Sequence, residues 1–306
     1  MSVAVIVPNR DISILISELK EKVNMEIIID PIPEDYESIT IAILWNQPPG
    51  ILGSFPNIEL ICSFGAGVDH IINDPGYDPS IPVTRVVDED LTASMSRYVV
   101  AAVSMFQYGF HLDNDIELGS QYRQRPIYSP KLTVGILGLG ALGEASAKCF
   151  RDLGYEVNGL SRNLKTLTGI HTFALSEMDE FLANTNILVC MLPLTPTTED
   201  IIDLQLLNKL KKPSFLINVG RGNHVIEDEL LIAVREGVLL GACLDVLRNE
   251  PIGDDHPFIS ENRIIITPHI ASITNQYNAA RLIAENISRF SKGEKLLHKV
   301  DSKAGY

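Results

Sequence analysis

Apolar residues fall along this chain in two rhythms. Short apolar runs at residues 3–7, 26–29, 39–44, 60–63 and 82–86 read as strands. Between the first two, Ile12, Leu15, Ile16 and Leu19 recur at the spacing of one helix face, which predicts a helix over residues 11–23. Alternation of this kind predicts parallel strands with helices on both faces. From Glu89 to about Leu118 the chain has no internal proline and many Ala, Val and Met, and it reads as one long helix. Residues 115–130 are polar and broken by Pro126 and Pro130, as expected of a surface connection.

A second series starts at Leu132. Strands are expected at residues 133–137, 156–160, 187–191, 215–219, 241–246 and 264–267, with helices at 142–153, 177–183, 202–210 and 227–236. Six strands with crossovers are the inventory of a doubly wound dinucleotide domain. The tail, residues 271–290, is helical again without strands of its own, so it is expected to return to the first domain. The fold expected is α/β throughout: residues 1–97 plus 275–306 form one domain, and 98–274 form a doubly wound parallel-sheet (Rossmann) domain.

Length and charge narrow the function. A chain of 306 residues supports about two domains. Its 25 Lys+Arg against 39 Asp+Glu give a net charge of −14, which disfavours nucleic acid and anionic membranes as partners. An anionic substrate then needs its own local cations. Cys62, Cys149, Cys190 and Cys243 form no C-x-x-C pair and sit among apolar or small residues, the pattern of buried thiols in a reduced cytoplasmic compartment. No metal site is expected. The opening run meets Pro8 at once and has no basic residue before it, so it reads as a strand and not a signal peptide. The uncharged runs 98–112 and 182–198 are too short or too polar to span a bilayer.

The strongest motif is the glycine series Gly138, Gly140 and Gly143, after an apolar strand and at the opening of a helix. Gly138 permits a tight turn, Gly140 lets a pyrophosphate approach the backbone, and Gly143 lets the helix pack on the strand. After the next strand, an NAD enzyme usually carries an acid for the ribose 2′-hydroxyl. Here stand Ser161, Arg162 and Lys165, a hydroxyl and two cations suited to a 2′-phosphate. NADP(H) is therefore expected over NAD(H), although a solvated basic loop has the same composition.

Three later segments each end an apolar strand with a chemically capable residue: Arg221 between two glycines, Glu250 before Pro251, and His269 after Thr267 and Pro268. The fork of an arginine suits a carboxylate. An imidazole paired with a carboxylate suits proton transfer, and the three together suit carbonyl reduction.

These segments, with Glu227–Leu230, Gly241–Val246 and Gly65–His70, resemble the D-isomer-specific 2-hydroxyacid dehydrogenase family over nearly the whole chain. Within it the likeness is greatest to glyoxylate/hydroxypyruvate reductases of the bacterial A type. Trp45 before a proline-rich turn, Ser272–Thr274, and Val300, Asp301, Gly305 and Tyr306 add to it. The resemblance implies a flavodoxin-like α/β substrate domain beside the cofactor domain, with the site in the cleft between them. It implies that His269 is the general acid, that Glu250 raises its pKa, and that Arg221 holds and polarises the 2-oxo acid. Cofactor contacts are implied at Leu139, Ala141, Leu142, Leu192, Pro193, Val219, Arg221, Asp245 and His269. Substrate contacts are implied at Trp45, Ala66, Gly67, Val68, Arg221 and His269. NADPH-dependent reduction of glyoxylate and hydroxypyruvate by a homodimer follows as the expected activity. Leu247, where relatives carry an aromatic, and Gly253-Asp254, where they carry more Pro and Leu, leave substrate preference open. NADH dependence, bulkier 2-oxo acids, a nucleotide-sensing corepressor-like module and a methyltransferase are the alternatives.

Overall fold

A computed structural model describes residues 1–110 and 132–302 of the chain. The chain divides into two compact units, Met1–Leu91 with the segment from Thr274 onward, and Thr92–Ile273. The first division falls inside a helix, earlier than the boundary expected after residue 97.

The first unit is built on five parallel strands: β1 (Ser2–Ile6), β2 (Glu26–Ile29), β3 (Ile39–Leu44), β4 (Leu60–Ser63) and β5 (Val83–Thr84), in the order β2-β1-β3-β4-β5. This is the flavodoxin-like order. β1, β3 and β4 read as apolar runs because both faces are covered, whereas the edge strand β2 has no fully buried residue. Val3 and Val5 enter one core with α1 (Ser13–Lys22) and α8 (Gln276–Ser291), while Ala4 and Ile6 enter another with Leu52, Phe55 and Val300. The tail thus returns as expected. Gln276 fastens it, accepting from the Leu15 N–H at 2.9 Å and donating to the Asp11 carbonyl at 2.9 Å. A short helix, α2 (Asp69–Ile72), follows β4.

Helix α3 (Glu89–Gln107) begins in the first unit and continues into the second. It stops at Gln107, short of the expected Leu118. Gly109, at φ 70°, closes it: the Phe110 N–H reaches the Met105 carbonyl and the Gly109 N–H that of Phe106, the paired bonds of a glycine C-cap. The rest of the expected helix and the connection at 115–130 lie outside the described residues.

The second unit holds seven parallel strands: β6 (Thr133–Leu137), β7 (Glu156–Ser161), β8 (His171–Ala174), β9 (Ile187–Cys190), β10 (Phe215–Asn218), β11 (Gly241–Leu244) and β12 (Ile264–Ile266). Their order is β12-β11-β10-β9-β6-β7-β8, a Rossmann sheet whose direction of winding reverses between β6 and β9. Helices α4 (Ala141–Asp152), α5 (Met178–Ala183), α6 (Leu204–Asn208) and α7 (Glu227–Arg235) make the crossovers. The strand missing from the expected six is β8. It is a four-residue edge strand in which only Phe173 is buried, so it carries no apolar run to read. Alternate residues again face opposite cores: Ile187, Val189, Phe215 and Ile217 pack on the α3 side, where Phe106 stacks on Phe215 at 4.7 Å, and Leu188, Cys190 and Leu216 pack under α6 and α7. Among the described residues no helix is long and apolar enough to cross a membrane.

Candidate active site

The site is assembled at the carboxyl ends of parallel strands, where each strand hands its chain to a loop. After β6, Gly138 takes φ 110°, a conformation closed to most side chains. A Cβ on Gly143 would lie 1.9 Å from the Gly138 carbonyl oxygen, so only glycine lets α4 start this close to the strand. A Cβ on Gly140 would meet nothing within 4 Å, so that side of the turn is open. The N–H groups of Ala141, Leu142 and Gly143 have no acceptor among the described residues. An open cradle of free N–H groups at a helix start fits a pyrophosphate. Leu139 itself is buried and lies against Gly159.

At the end of β7 the Ser161 hydroxyl donates to the Asn163 carbonyl at 2.7 Å, and Arg162 is exposed. Lys165 reaches back to the glycine loop. Its ammonium donates to the Leu139 carbonyl at 2.6 Å and lies 3.6 Å from Glu144, which also pairs with Lys148 at 2.7 Å. The structure thus puts one of the two expected phosphate cations on the loop itself.

Leu192 and Pro193 follow β9, and the Pro193 carbonyl accepts from Thr198 at 2.7 Å. Val219 follows β10 and is buried. Arg221 comes next, held by its backbone: its N–H donates to His224 Nδ1 at 3.0 Å and its carbonyl accepts from Asn218 at 2.9 Å. A Cβ on Gly222 would sit 1.9 Å from the Leu247 carbonyl carbon, so the loops after β10 and β11 pack too tightly for any other residue. The fully buried His224 was not among the expected residues. Its three-residue spacing from Arg221 was the available signal.

His269 follows β12 at φ 54°, the left-handed region, which few residues other than glycine adopt and which asparagine, aspartate and histidine enter most readily among them. Its ring Nδ1 is 3.0 Å from Glu250 Oε2, and Glu250 Oε1 accepts the Leu247 N–H at 2.8 Å. Nε2 of His269 has no partner among the described residues. Burial, the largest single influence on Glu250, pushes its carboxyl up. The hydrogen bonds from His269 and Leu247 and the charges of His269 and Arg221 together outweigh it, and the group lies below its ordinary pKa. Arg221, Glu250 and His269 therefore share one local field, at the ends of three neighbouring strands.

The turn that carries His269 is built on Asp245. This carboxylate, 2% exposed, accepts from the Ile270 N–H at 2.8 Å, the Ala271 N–H at 2.8 Å and the Thr267 hydroxyl at 2.6 Å. Thr267 accepts in turn from Tyr98 on α3 at 2.5 Å, where burial pushes the phenol pKa up and keeps the proton in place. The Asp245 backbone carbonyl takes the His269 N–H at 3.0 Å. Neither Tyr98 nor Thr267 was foreseen, because nothing in the sequence shows that α3 packs under this turn.

The expected substrate residues of the first unit are grouped on its own sheet. Trp45 follows β3, is 8% exposed and meets His70 edge-on at 5.2 Å. Gly65–Val68 follow β4. Ser63 ties this loop, donating to the Gly67 carbonyl at 2.7 Å, and a Cβ on Gly65 would strike the Trp45 ring at 2.3 Å. The N–H groups of Ala66, Gly67 and Val68 have no acceptor among the described residues.

A Rossmann sheet with a glycine turn at its first strand and an imidazole–carboxylate pair at the far strand ends defines a nicotinamide-dinucleotide oxidoreductase. Residues 112–271 match the NAD binding domain of D-isomer specific 2-hydroxyacid dehydrogenases, and the chain belongs to that family. Glyoxylate/hydroxypyruvate reductase A of Escherichia fergusonii is 34% identical over 89% of both chains, and that of Klebsiella pneumoniae 34% identical over 90% of this chain and 88% of its own. Among solved structures, an NADPH-dependent glyoxylate/hydroxypyruvate reductase from Sinorhizobium meliloti, crystallised with NADP and sulfate, is 30% identical and superposes over 100% of both chains with a TM-score of 0.90. A probable 2-hydroxyacid dehydrogenase from Rhizobium etli, crystallised with NADP, HEPES and L(+)-tartaric acid, is 36% identical with a TM-score of 0.87, over 100% of this chain and 99% of its own. The protein is thus an NAD(P)-dependent oxidoreductase acting on 2-hydroxy or 2-oxo acids.

The Asp245 network makes a stability prediction. Asp245→Ala strands two buried N–H groups and a hydroxyl, and should destabilise the fold by ~3 kcal/mol, read as a lowered Tm. An unchanged Tm would show that the turn does not depend on this carboxylate.

Proposed function

We propose that this enzyme reduces small 2-oxo acids, glyoxylate and hydroxypyruvate, to 2-hydroxy acids with NADPH. The observation that carries this reading is the His269–Glu250 contact at 3.0 Å with Nε2 left free, beside the charge of Arg221. Thr92–Ile273 is the dinucleotide unit in this reading and Met1–Leu91 the main part of the substrate unit.

When bound, the dihydronicotinamide supplies a hydride to the carbonyl carbon. His269 gives the proton on Nε2 to the carbonyl oxygen, so the hydroxyl forms as the C=O double bond opens. Glu250, ionised and anchored by the Leu247 N–H, holds the ring by Nδ1 and keeps Nε2 the outward atom. Arg221 binds the substrate carboxylate and carbonyl and favours the charge that develops on oxygen. The free N–H groups of Ala66, Gly67 and Val68 take the carboxylate, and Trp45 backs their loop through Gly65.

The NADPH preference rests on Ser161, Arg162 and Lys165 and on the lack of an acid at the end of β7. The Sinorhizobium meliloti relative, named as NADPH-dependent, supports it. The glycine cradle supports the pyrophosphate. A homodimer in the cytoplasm completes the reading, in keeping with the free and mostly buried thiols.

Three measurements test this. His269→Gln should lower kcat for glyoxylate by at least ~100-fold, and near-normal turnover would remove it as the acid. Arg162→Ala should raise KM for NADPH by about tenfold and leave that for NADH nearly unchanged, while Lys165→Ala, which also frees the Leu139 carbonyl, should weaken both. Equal effects of Arg162→Ala on both cofactors would sink the 2′-phosphate assignment. The third concerns pH. Because Glu250 titrates lower when folded than unfolded, its contribution to stability is full above the ordinary carboxyl value of about 4.3 and is lost as pH falls through the lowered folded value. The Tm gap between wild type and Glu250→Gln should hold at neutral pH and close only below about pH 4. A gap that widens on acidification would contradict the pairing.

A further inference from the structure

At the first unit's sheet, β1 sits between β2 and β3, so the chain leaves β1 to one side and returns to the other. The carboxyl ends of β1 and β3 flank the switch point of this sheet, where open α/β folds leave a crevice for ligands. The residues that follow these two strands meet there. Arg10, shortly after β1, lays its guanidinium over the Trp45 ring at 4.9 Å from the centroid, and Trp45 begins the loop after β3. The ring also bears on Gly65, at the start of the loop with three free N–H groups after β4.

Arg10 is uncompensated. The chain has 39 acidic residues, yet among the described residues none pairs with it. The residue as a whole is exposed, but its guanidinium is desolvated enough to lower its pKa, with burial as the only cause. A stacked guanidinium keeps its edge free, and that edge matches a carboxylate through two parallel hydrogen bonds. The stacking also limits the rotamers a long side chain loses on binding. A surface arginine kept only for solubility would more naturally sit beside one of those acids.

We infer that Arg10, set on Trp45 at the switch point of the first unit's sheet, is a specificity residue that recognises a second carboxylate, so that four-carbon 2-oxo dicarboxylic acids are substrates. The inference rests on the proposed reading in one respect: the Ala66–Val68 N–H groups hold the first carboxylate. Arg10 then takes the distal one, which glyoxylate lacks. The reaction itself is unchanged: hydride to the carbonyl carbon, proton to its oxygen, and a 2-hydroxy dicarboxylate as product.

The test uses the full-length enzyme with NADPH and three substrates: glyoxylate, oxaloacetate, and 2-oxobutyrate, which replaces the distal carboxylate of oxaloacetate by a methyl group. Wild type should prefer oxaloacetate to 2-oxobutyrate in kcat/KM. Arg10→Gln should raise KM for oxaloacetate by at least ~10-fold, the size of one lost charge-assisted hydrogen bond, with glyoxylate and 2-oxobutyrate held within about twofold. Arg10→Lys should restore part of the loss, and Arg10→Glu should deepen it. The inference is overturned if Arg10→Gln leaves oxaloacetate untouched, or if all three substrates fall together. If glyoxylate is inert but oxaloacetate turns over in an Arg10-dependent way, the recognition stands and the glyoxylate assignment fails. Turnover of glyoxylate without oxaloacetate sinks the recognition alone, and turnover of none sinks both.

Discussion

One carboxylate fixes the imidazole across two loops that leave neighbouring strands. Glu250 accepts the Leu247 N–H with one oxygen and holds the His269 ring with the other, while Arg221 supplies positive charge beside it. The imidazole is carried on a turn in the left-handed region, at φ 54°. What over-determines that turn is Asp245, whose carboxylate and carbonyl together take the N–H groups of three successive residues, His269, Ile270 and Ala271. Such a conformation survives where its surroundings hold it, and here the holding group, Asp245, is buried although Pro268 and Ile270 of the turn are exposed.

The same economy governs the sheet edge. Gly143 against the Gly138 carbonyl, Gly222 against Leu247 and Gly65 against Trp45 are three places where a missing side chain lets backbones or a ring approach. In each, the close approach fixes a loop whose N–H groups or side chain then point outward. Parallel strands make this possible, because within each sheet they end on one side and deliver their loops to one edge of that sheet.

Much of this was legible in the sequence, and the misses have physical causes. The five strands of the first unit and six of the seven in the second fall on apolar runs, most plainly β1, β3, β9, β10 and β11, which are buried throughout. β8 stayed hidden because an edge strand with one buried residue needs no such run. The long helix was drawn past Gln107 because Ala, Val and Met favour helix, whereas Gly109 ends it. At the site, Gly138, Gly140 and Gly143 and the trio Arg221, Glu250 and His269 could be read from spacing and from resemblance. Tyr98 and Thr267 could not, because their importance lies in what the folded chain brings beside them, and His224 offered only its spacing from Arg221. Asp245 was read as a cofactor contact, and the structure adds three hydrogen bonds to the His269 turn. Arg10 carries no motif at all and becomes visible only when β1 and β3 are seen side by side.

The ammonium of Lys165 is fastened to the carbonyl of Leu139 inside the glycine turn. In the proposed reading, Lys165 serves both the 2′-phosphate and the shape of the turn common to both nucleotides, whereas Ser161 and Arg162 bear on the phosphate alone. Evolution or engineering toward the non-phosphorylated coenzyme has a narrow route here. Altering Lys165 would loosen the grip on either coenzyme, so a gradual change of preference would have to travel through Ser161 and Arg162 while leaving the lysine in place.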